Sequence, residues 1–260
     1  MARSTSQSQP VQVADVEAVV ELGRSIKIAE RVARLILDDI VARQLPPGSR
    51  LAPEAVMINR YGIGRASLRE ALRILEVHGL INVKPGPGGG PVVGEVTGRD
   101  FGRTSTFFYH AVGATLEELV ETRTVIEPMA ARLAALRITP EGKKRLREIV
   151  QLGEDGRDEP AAVWAQATAR FHTVVGEIAG NKVLTLLSSS LVEIHNERLN
   201  PIFPVGSRQE VLNVHMRIAA AILARDAVKA ERLMRLHTEH LAANLAELVP
   251  GLLHETIDWR

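Results

Sequence analysis

Apolar residues recur at helical spacing through most of this 260-residue chain, and the breaks in that spacing mark its parts. Between Ile26 and Arg43 they fall at Ile28, Val32, Leu35, Ile36 and Ile40, one stripe of a helix. Leu45-Pro46-Pro47-Gly48 ends it, because proline lacks the amide a continuing helix needs. Residues 53–60 suit a short second helix with Pro53 in its first turn. Tyr61-Gly62-Ile63-Gly64 reads as a turn, with Gly64 as the N-cap of a third helix over 65–78. That helix is striped at Leu68, Ala71, Leu72 and Leu75 and carries Arg65, Arg69 and Arg73 away from the stripe.

The period then changes. Residues 80–83 and 91–93 predict two short strands. They are joined by Lys84-Pro85-Gly86-Pro87-Gly88-Gly89-Gly90, where six of seven residues are Gly or Pro. Such a tip can approach a phosphate backbone without Cβ clashes. Helix, turn, arginine-bearing helix and hairpin in this order predict a winged helix-turn-helix, which sets one helix in the DNA major groove and the hairpin beside it.

Beyond Thr115 the strand pattern is gone. Helical stripes cover 116–136, 140–153, 161–179, 182–197, 209–224 and 227–248, a bundle of about six helices. Thr139-Pro140, Gly180-Asn181 and Asn200-Pro201-Ile202-Phe203-Pro204 separate some of them. The expected fold class is mainly α: an N-terminal winged helix-turn-helix with a small β-wing, then an all-α bundle. The expected division is a mobile arm over 1–23, the DNA-binding domain over 24–96, and a linker over 97–113 with room for a short helix through Phe107, Phe108 and Tyr109. An effector-binding and dimerisation domain over 114–249 and a tail over 250–260 complete it.

Charge sharpens this division. Between Arg24 and Lys84 there are 11 Lys and Arg against 6 Asp and Glu, and 21 against 25 elsewhere. A basic module joined to a mildly acidic one is the footprint of a DNA reader with a separate control domain. Cysteine is absent, which excludes disulfides and thiolate metal sites. No apolar run reaches membrane-span length and no signal-peptide core opens the chain, so a cytoplasmic location without membrane contact is expected.

Three histidines carry the candidate chemistry of the bundle. His172, His215 and His237 lie on three separate expected helices. His215 shares a face with Ile218 and Ile222, and His237 with Leu233 and Leu241, so both point inward. Three inward imidazoles can hold Zn, Ni or Mn facially and leave positions open for water or a carboxylate. His195 and His240 are weaker candidates for the same pocket. Arg123 stands one turn before Glu127. A buried arginine there either captures a ligand carboxylate by a forked hydrogen bond or pairs with Glu127 within its own helix.

Residues 47–93 resemble the DNA-binding domain of the GntR transcription regulators. Three further stretches resemble the FCD effector domain of the FadR-type subfamily. They are the run RTVIEPMAARLAA from Arg123, Phe171-His172 followed by Gly180-Asn181, and His215-x-x-Ile218-x-x-Ala221-Ile222-x-x-x-Asp226 followed by His237. The resemblance implies that Arg65 and Arg69 lie on the helix entering the major groove, where arginine bonds guanine O6 and N7 in bidentate fashion. Ser67 stands beside them. Arg73, Arg50 and Lys84, with Gly86 and Gly88 of the wing, are then candidates for phosphate and groove contacts. Two positions depart from the family. Ala55 replaces the arginine that usually follows the residue matching Glu54, which removes one expected DNA contact. Thr168 replaces the aspartate usually found four residues before His172, leaving three metal ligands.

The function implied is a homodimeric regulator of transcription that reads double-stranded DNA at an inverted-repeat operator. It is a repressor released by a small organic acid bound at Arg123, His172, His215 and His237, and it is not an enzyme. Ligand binding is expected to act through 97–113 on the placement of the DNA-binding modules. The alternative is a metalloenzyme on a His-lined bundle. The chain carries neither the HExxH nor the paired Glu-x-x-His motif that such bundles use. A DNA-organising protein without an effector would leave the histidines unexplained.

Overall fold

The computed structural model describes residues 13–86, 89–199, 208–248 and 251–258. The chain divides into two compact units, Met1–Val96 and Thr97–Arg260.

The first unit holds α1 (Val13–Ala42), α2 (Glu54–Tyr61), α3 (Arg65–Val77) and an antiparallel hairpin of β1 (Ile81–Lys84) and β2 (Gly90–Val93). Helix α1 starts at Val13, so 13–23 are helical where an arm is expected from sequence; 1–12 lie outside the described residues. The α1 face turned to the core is Ala29, Val32, Ala33, Ile36 and Ile40. Ile28 and Leu35, expected in that stripe, stay 39% and 43% exposed. The alanines continue the 3.6-residue period where those two larger side chains do not. Met57, Leu68, Ala71, Leu72, Leu75, Ile81 and Val93 complete this core.

Pro53 is the N-cap of α2 rather than a residue of its first turn, and its carbonyl accepts from the amides of Val56 and Met57. Gly62 ends α2 in the left-handed region at φ 63°, a conformation glycine adopts without Cβ strain. The hairpin pairs Ile81 with Val93 and Lys84 with Gly90, so Leu80 falls outside it. Segment 48–51 adds a third edge: Gly48 N donates to Val93 O, and Leu51 N to Pro91 O.

The second unit holds α4 (Gly98–Val112), α5 (Leu116–Arg137), α6 (Pro140–Asp155), α7 (Ala161–Ile178), α8 (Lys182–Leu199), α9 (Arg208–Leu223) and α10 (Ala227–Leu248), with a 3₁₀ turn at Leu252–His254. Its main core joins Ala131, Ala134 and Ala135 of α5 to Phe171 and Val175 of α7, Ile218 and Ile222 of α9 and Met234 of α10.

Two expectations change in this unit. The 97–113 linker is the full helix α4, packed on α8. Thr97 and Asp100 start it with a reciprocal capping box, and Gly113 ends it at φ 71°. Its buried positions include Gly102, Ser105 and Thr106, while Phe107 and Phe108 are 51% and 62% exposed, so it shows no apolar stripe in the sequence. A Cβ on Gly98 would collide with Ser189 of α8, which shows how closely the two helices approach. Within the expected 250–260 tail, residues 251–258 fold back. Leu116 N donates to Glu255 O and Ile257 N to Ala114 O, and Ile257 is buried with Leu119, Val120, Leu191 and Leu245. Residues 249, 250, 259 and 260 lie outside the described residues. Among the described residues, no helix is long and apolar enough to cross a membrane.

Candidate functional site

Five helices of the second unit contribute ionisable side chains to one buried cluster. Helix α5 brings Arg123 and Glu127, α7 His172, α8 His195, α9 His215 and α10 His237. Arg123, Glu127, His172, His195 and His215 are each no more than 5% exposed, and His237 is half-buried.

Local packing fixes each one. Phe171 stacks on the His215 ring at 4.1 Å between centroids and 13° between planes. His172 follows it on α7 and stacks on His237 at 5.3 Å, while His215 and His237 meet edge-on at 4.8 Å. One ligating atom from each of His172, His215 and His237 lies within 4.8 Å of the others. His215 Nε2 and His237 Nε2 are 3.2 Å apart. Two imidazoles on one ion, with bonds of about 2.0–2.1 Å, are separated by roughly 2.9–3.4 Å. The donor set fits a first-row divalent ion.

Glu127 links this cluster to Arg123. Its Oε1 accepts from Arg123 Nε at 2.5 Å, and its Oε2 lies 2.5 Å from His172 Nδ1. A proton on Nδ1, facing this carboxylate, would leave Nε2 of His172 as the atom free to ligate. Burial alone would push the Glu127 carboxyl up, but Arg123 and His172 outweigh it and hold Glu127 below the usual carboxylate range. Burial pushes the His215 and His195 imidazoles well below their ordinary value, and neighbouring cationic groups add to this. His237 falls to about 3, from burial first and then from His172. Neutral imidazoles are the form a metal needs.

Thr168 sits one turn before His172, with its hydroxyl donating to Trp164 O at 2.9 Å. It borders the same small void, of about 10 Å³, as Phe171 and His215. A longer carboxylate side chain at 168 would therefore stand near His215. His240 is exposed, and His110 and His254 lie elsewhere, against Ile257 O and Glu117.

The sequence left Arg123 either as a clamp for a ligand carboxylate or as the partner of Glu127 within its helix, and the pair with Glu127 is formed. The contact of Glu127 with His172 joins residues 45 positions apart on two helices and has no signature in spacing. His195 had only a residue type in its favour.

In the first unit, Arg65, Arg69 and Arg73 are all exposed on α3, and Ser67 is half-buried. Arg65 is the first residue of α3, after the Gly64 N-cap. Arg69, Arg73 and Val83 line an open groove that Glu54, Glu70 and Glu76 also line. Arg50 is exposed and bridges to Val92, Lys84 is exposed at the end of β1, and Gly86 follows at φ 93°. Gly88 lies outside the described residues. Ala55 is exposed in the first turn of α2, so an arginine in its place would face solvent.

Comparison with known proteins agrees with this division. Residues 28–89 match the model for bacterial regulatory proteins of the gntR family, and residues 118–240 match the FCD domain. An HTH-type transcriptional regulator of Mycobacterium tuberculosis is 34% identical over 158 residues, which is 59% of this chain and 64% of that protein. The Uxu operon transcriptional regulator of Escherichia coli is 27% identical over 229 residues, covering 84% of this chain and 86% of its own length. The HTH-type transcriptional repressor NanR of Salmonella newport is 26% identical over 247 residues, covering 87% and 92%. The solved structure of a GntR protein from Streptococcus agalactiae covers 83% of this chain and 99% of its own, with a TM-score of 0.62 at 24% identity, a likeness of fold. With a GntR-type winged helix-turn-helix followed by an FCD domain, the chain belongs to the GntR family of transcription regulators, in the FadR-type arrangement.

Proposed function

We propose that this regulator is a repressor that binds an inverted-repeat operator as a homodimer and leaves it when a small carboxylate enters the FCD domain. The observation that carries the proposal is the buried chain His215–His237–His172–Glu127–Arg123, which places metal-ligating nitrogens and a guanidinium in one cluster. His172, His215 and His237 would hold Zn, Ni or Mn. The bound ion supplies a positive charge and open positions for ligand oxygens. Glu127 would orient His172, its Oε2 lying 2.5 Å from Nδ1. Arg123 spends Nε on Glu127, so a ligand meets its guanidinium through Nη1, which has no hydrogen-bond partner among the described residues.

On the DNA side, α3 is the helix proposed to enter the major groove. Arg65 and Arg69 are assigned to base edges. Arg73, Arg50 and Lys84, with Ser67 and the wing glycines Gly86 and Gly88, are assigned to phosphate and groove contacts. One such helix reads only a few base pairs, and two-fold symmetry doubles the site. Binding of the acid shifts the population between operator-competent and incompetent dimers.

The metalloenzyme reading is weaker. Glu127 touches the cluster, but Arg123 holds one carboxylate oxygen and the other lies 2.5 Å from His172 Nδ1, which places it poorly as a general base. Electrophoretic mobility shift of operator DNA with metal-loaded protein tests the proposal: a carboxylate panel should contain an acid that releases the complex. Release by none, or acid turnover without DNA binding, would contradict it.

A further inference from the structure

Helix α3 carries a carboxylate on the face its arginines share. Its buried residues are Leu68, Ala71, Leu72 and Leu75. At about 100° per residue, Ala66, Glu70 and Arg73 fall within roughly 30° of the direction opposite that buried face, and Arg69 roughly 70° from it. Glu70 is exposed and lines the open groove together with Ala66, Arg69 and Arg73. It therefore stands among the arginines assigned to DNA, and Ala66, one turn before it, is too short to screen it. The neighbouring carboxylates differ. Glu76 Oε1 accepts from Val83 N at 3.1 Å, which ties α3 to β1, and Glu54 belongs to the first turn of α2. Among the described residues, no hydrogen bond or ion pair holds the Glu70 carboxylate.

A carboxylate is unfavourable on a DNA-reading face unless a base donates to it. Phosphates repel it. In the major groove guanine presents the acceptors O6 and N7, and thymine the acceptor O4 beside its methyl group. Adenine offers its N6 amino group next to the acceptor N7, while cytosine offers the N4 amino group alone. Cytosine is the base that suits a carboxylate best.

Resting on the reading of α3 as the helix that enters the major groove, we propose that Glu70 is a specificity-determining residue. It accepts a hydrogen bond from cytosine N4 at one position of each half-site and disfavours the other bases there. Much of this selectivity is repulsive, an unpaired charge set against the acceptors of guanine and thymine.

The test is selection from a random-sequence duplex library by full-length wild type, E70A, E70Q and R69A. Anisotropy titrations then compare the duplex that wild type enriches with three others changed at the cytosine position. Wild type should lose about fivefold or more in affinity when that cytosine pair is replaced, the lower end of a base-specific contact. E70A should flatten the preference there to within about twofold by binding the three changed duplexes more tightly than wild type does, with other positions unaltered. E70Q should move the preference at that position to adenine, because its amide can bond N6 and N7 together. The inference is overturned if wild type enriches no cytosine that E70A ceases to prefer. It is equally overturned if E70A changes only the base that R69A also changes, which would make Glu70 a positioning residue for Arg69. A shift in R69A without one in either Glu70 variant keeps α3 as the reading helix and removes Glu70 from it. If wild type recovers no common sequence, or no variant alters it, the reading of α3 fails and the inference with it.

Discussion

Glu127 Oε2 lies 2.5 Å from His172 Nδ1, and the other oxygen of the same carboxylate accepts from Arg123 Nε at 2.5 Å. A buried carboxylate therefore stands directly behind an imidazole of the candidate metal set. Replacing Glu127 with Gln should weaken zinc binding by about 10–100-fold, the usual cost of removing a partner that orients a ligating histidine. It should also destabilise the second unit by roughly 3–5 kcal/mol, because Arg123 keeps its charge without its partner. Zinc competition titration and urea denaturation read the two effects separately. Unchanged zinc affinity in a folded variant would show that Glu127 serves Arg123 alone.

Thr168 gives the complementary gain. It borders the same void as His215 and stands one turn before His172, so Thr168→Asp should add a fourth ligand and raise metal affinity. The variant also places a charge near neutral imidazoles, so its fold is checked by circular dichroism. If a folded T168D protein binds no detectable zinc, the three histidines are ordinary core residues.

Acid should destabilise the metal-free protein early. The imidazoles of His195, His215 and His237 are depressed in the fold, His237 to about 3, against about 6.5 in an unfolded chain. A depressed imidazole binds its proton in the unfolded chain first. The native state therefore loses stability as pH falls below about 6.5, and the loss continues toward the folded value. The Glu127 carboxyl, also depressed, adds its own loss only below about 4.3. Urea midpoints between pH 7.5 and 5 should fall steadily; a flat or rising series would show the imidazoles titrating normally.

On the DNA side the two kinds of contact should separate by salt and by sequence. Arg69→Ala should weaken operator binding by about 1–3 kcal/mol and relax the preference at one base position. Lys84→Ala should weaken binding to all duplexes alike and lower the salt slope by about one unit. Anisotropy titrations at several salt concentrations distinguish them. An Arg69 variant with full affinity and full base preference would move the reading helix elsewhere.

Much of this was legible in the sequence, for identifiable reasons. The α3 stripe Leu68, Ala71, Leu72 and Leu75 is buried as its period requires, and the Gly64 cap stands where the turn predicts it. His172, His215 and His237 lie on three separate helices, and His215 shares its buried face with Ile218 and Ile222. What the sequence hid was long-range or small. Helix α4 buries glycine, serine and threonine, which carry no hydrophobic signal. The tail owes its order to backbone bonds between Glu255 and Leu116 and between Ile257 and Ala114. The Glu127–His172 contact depends on how α5 and α7 pack, which no local spacing reports. Ile257 makes this concrete: truncating it to Ala should cost about 2–4 kcal/mol by thermal or chemical denaturation, where a loose tail would show no change.

The most direct measurement recovers bound duplexes from a random-sequence library with the full-length protein. It then follows their release by a panel of organic acids, for metal-loaded wild type and for His215→Ala with its helical content verified. The account predicts an inverted repeat, release of wild type by at least one small organic acid, and a variant that stays bound at the same concentration. Recovery of no common sequence, or equal release of both proteins, would contradict it.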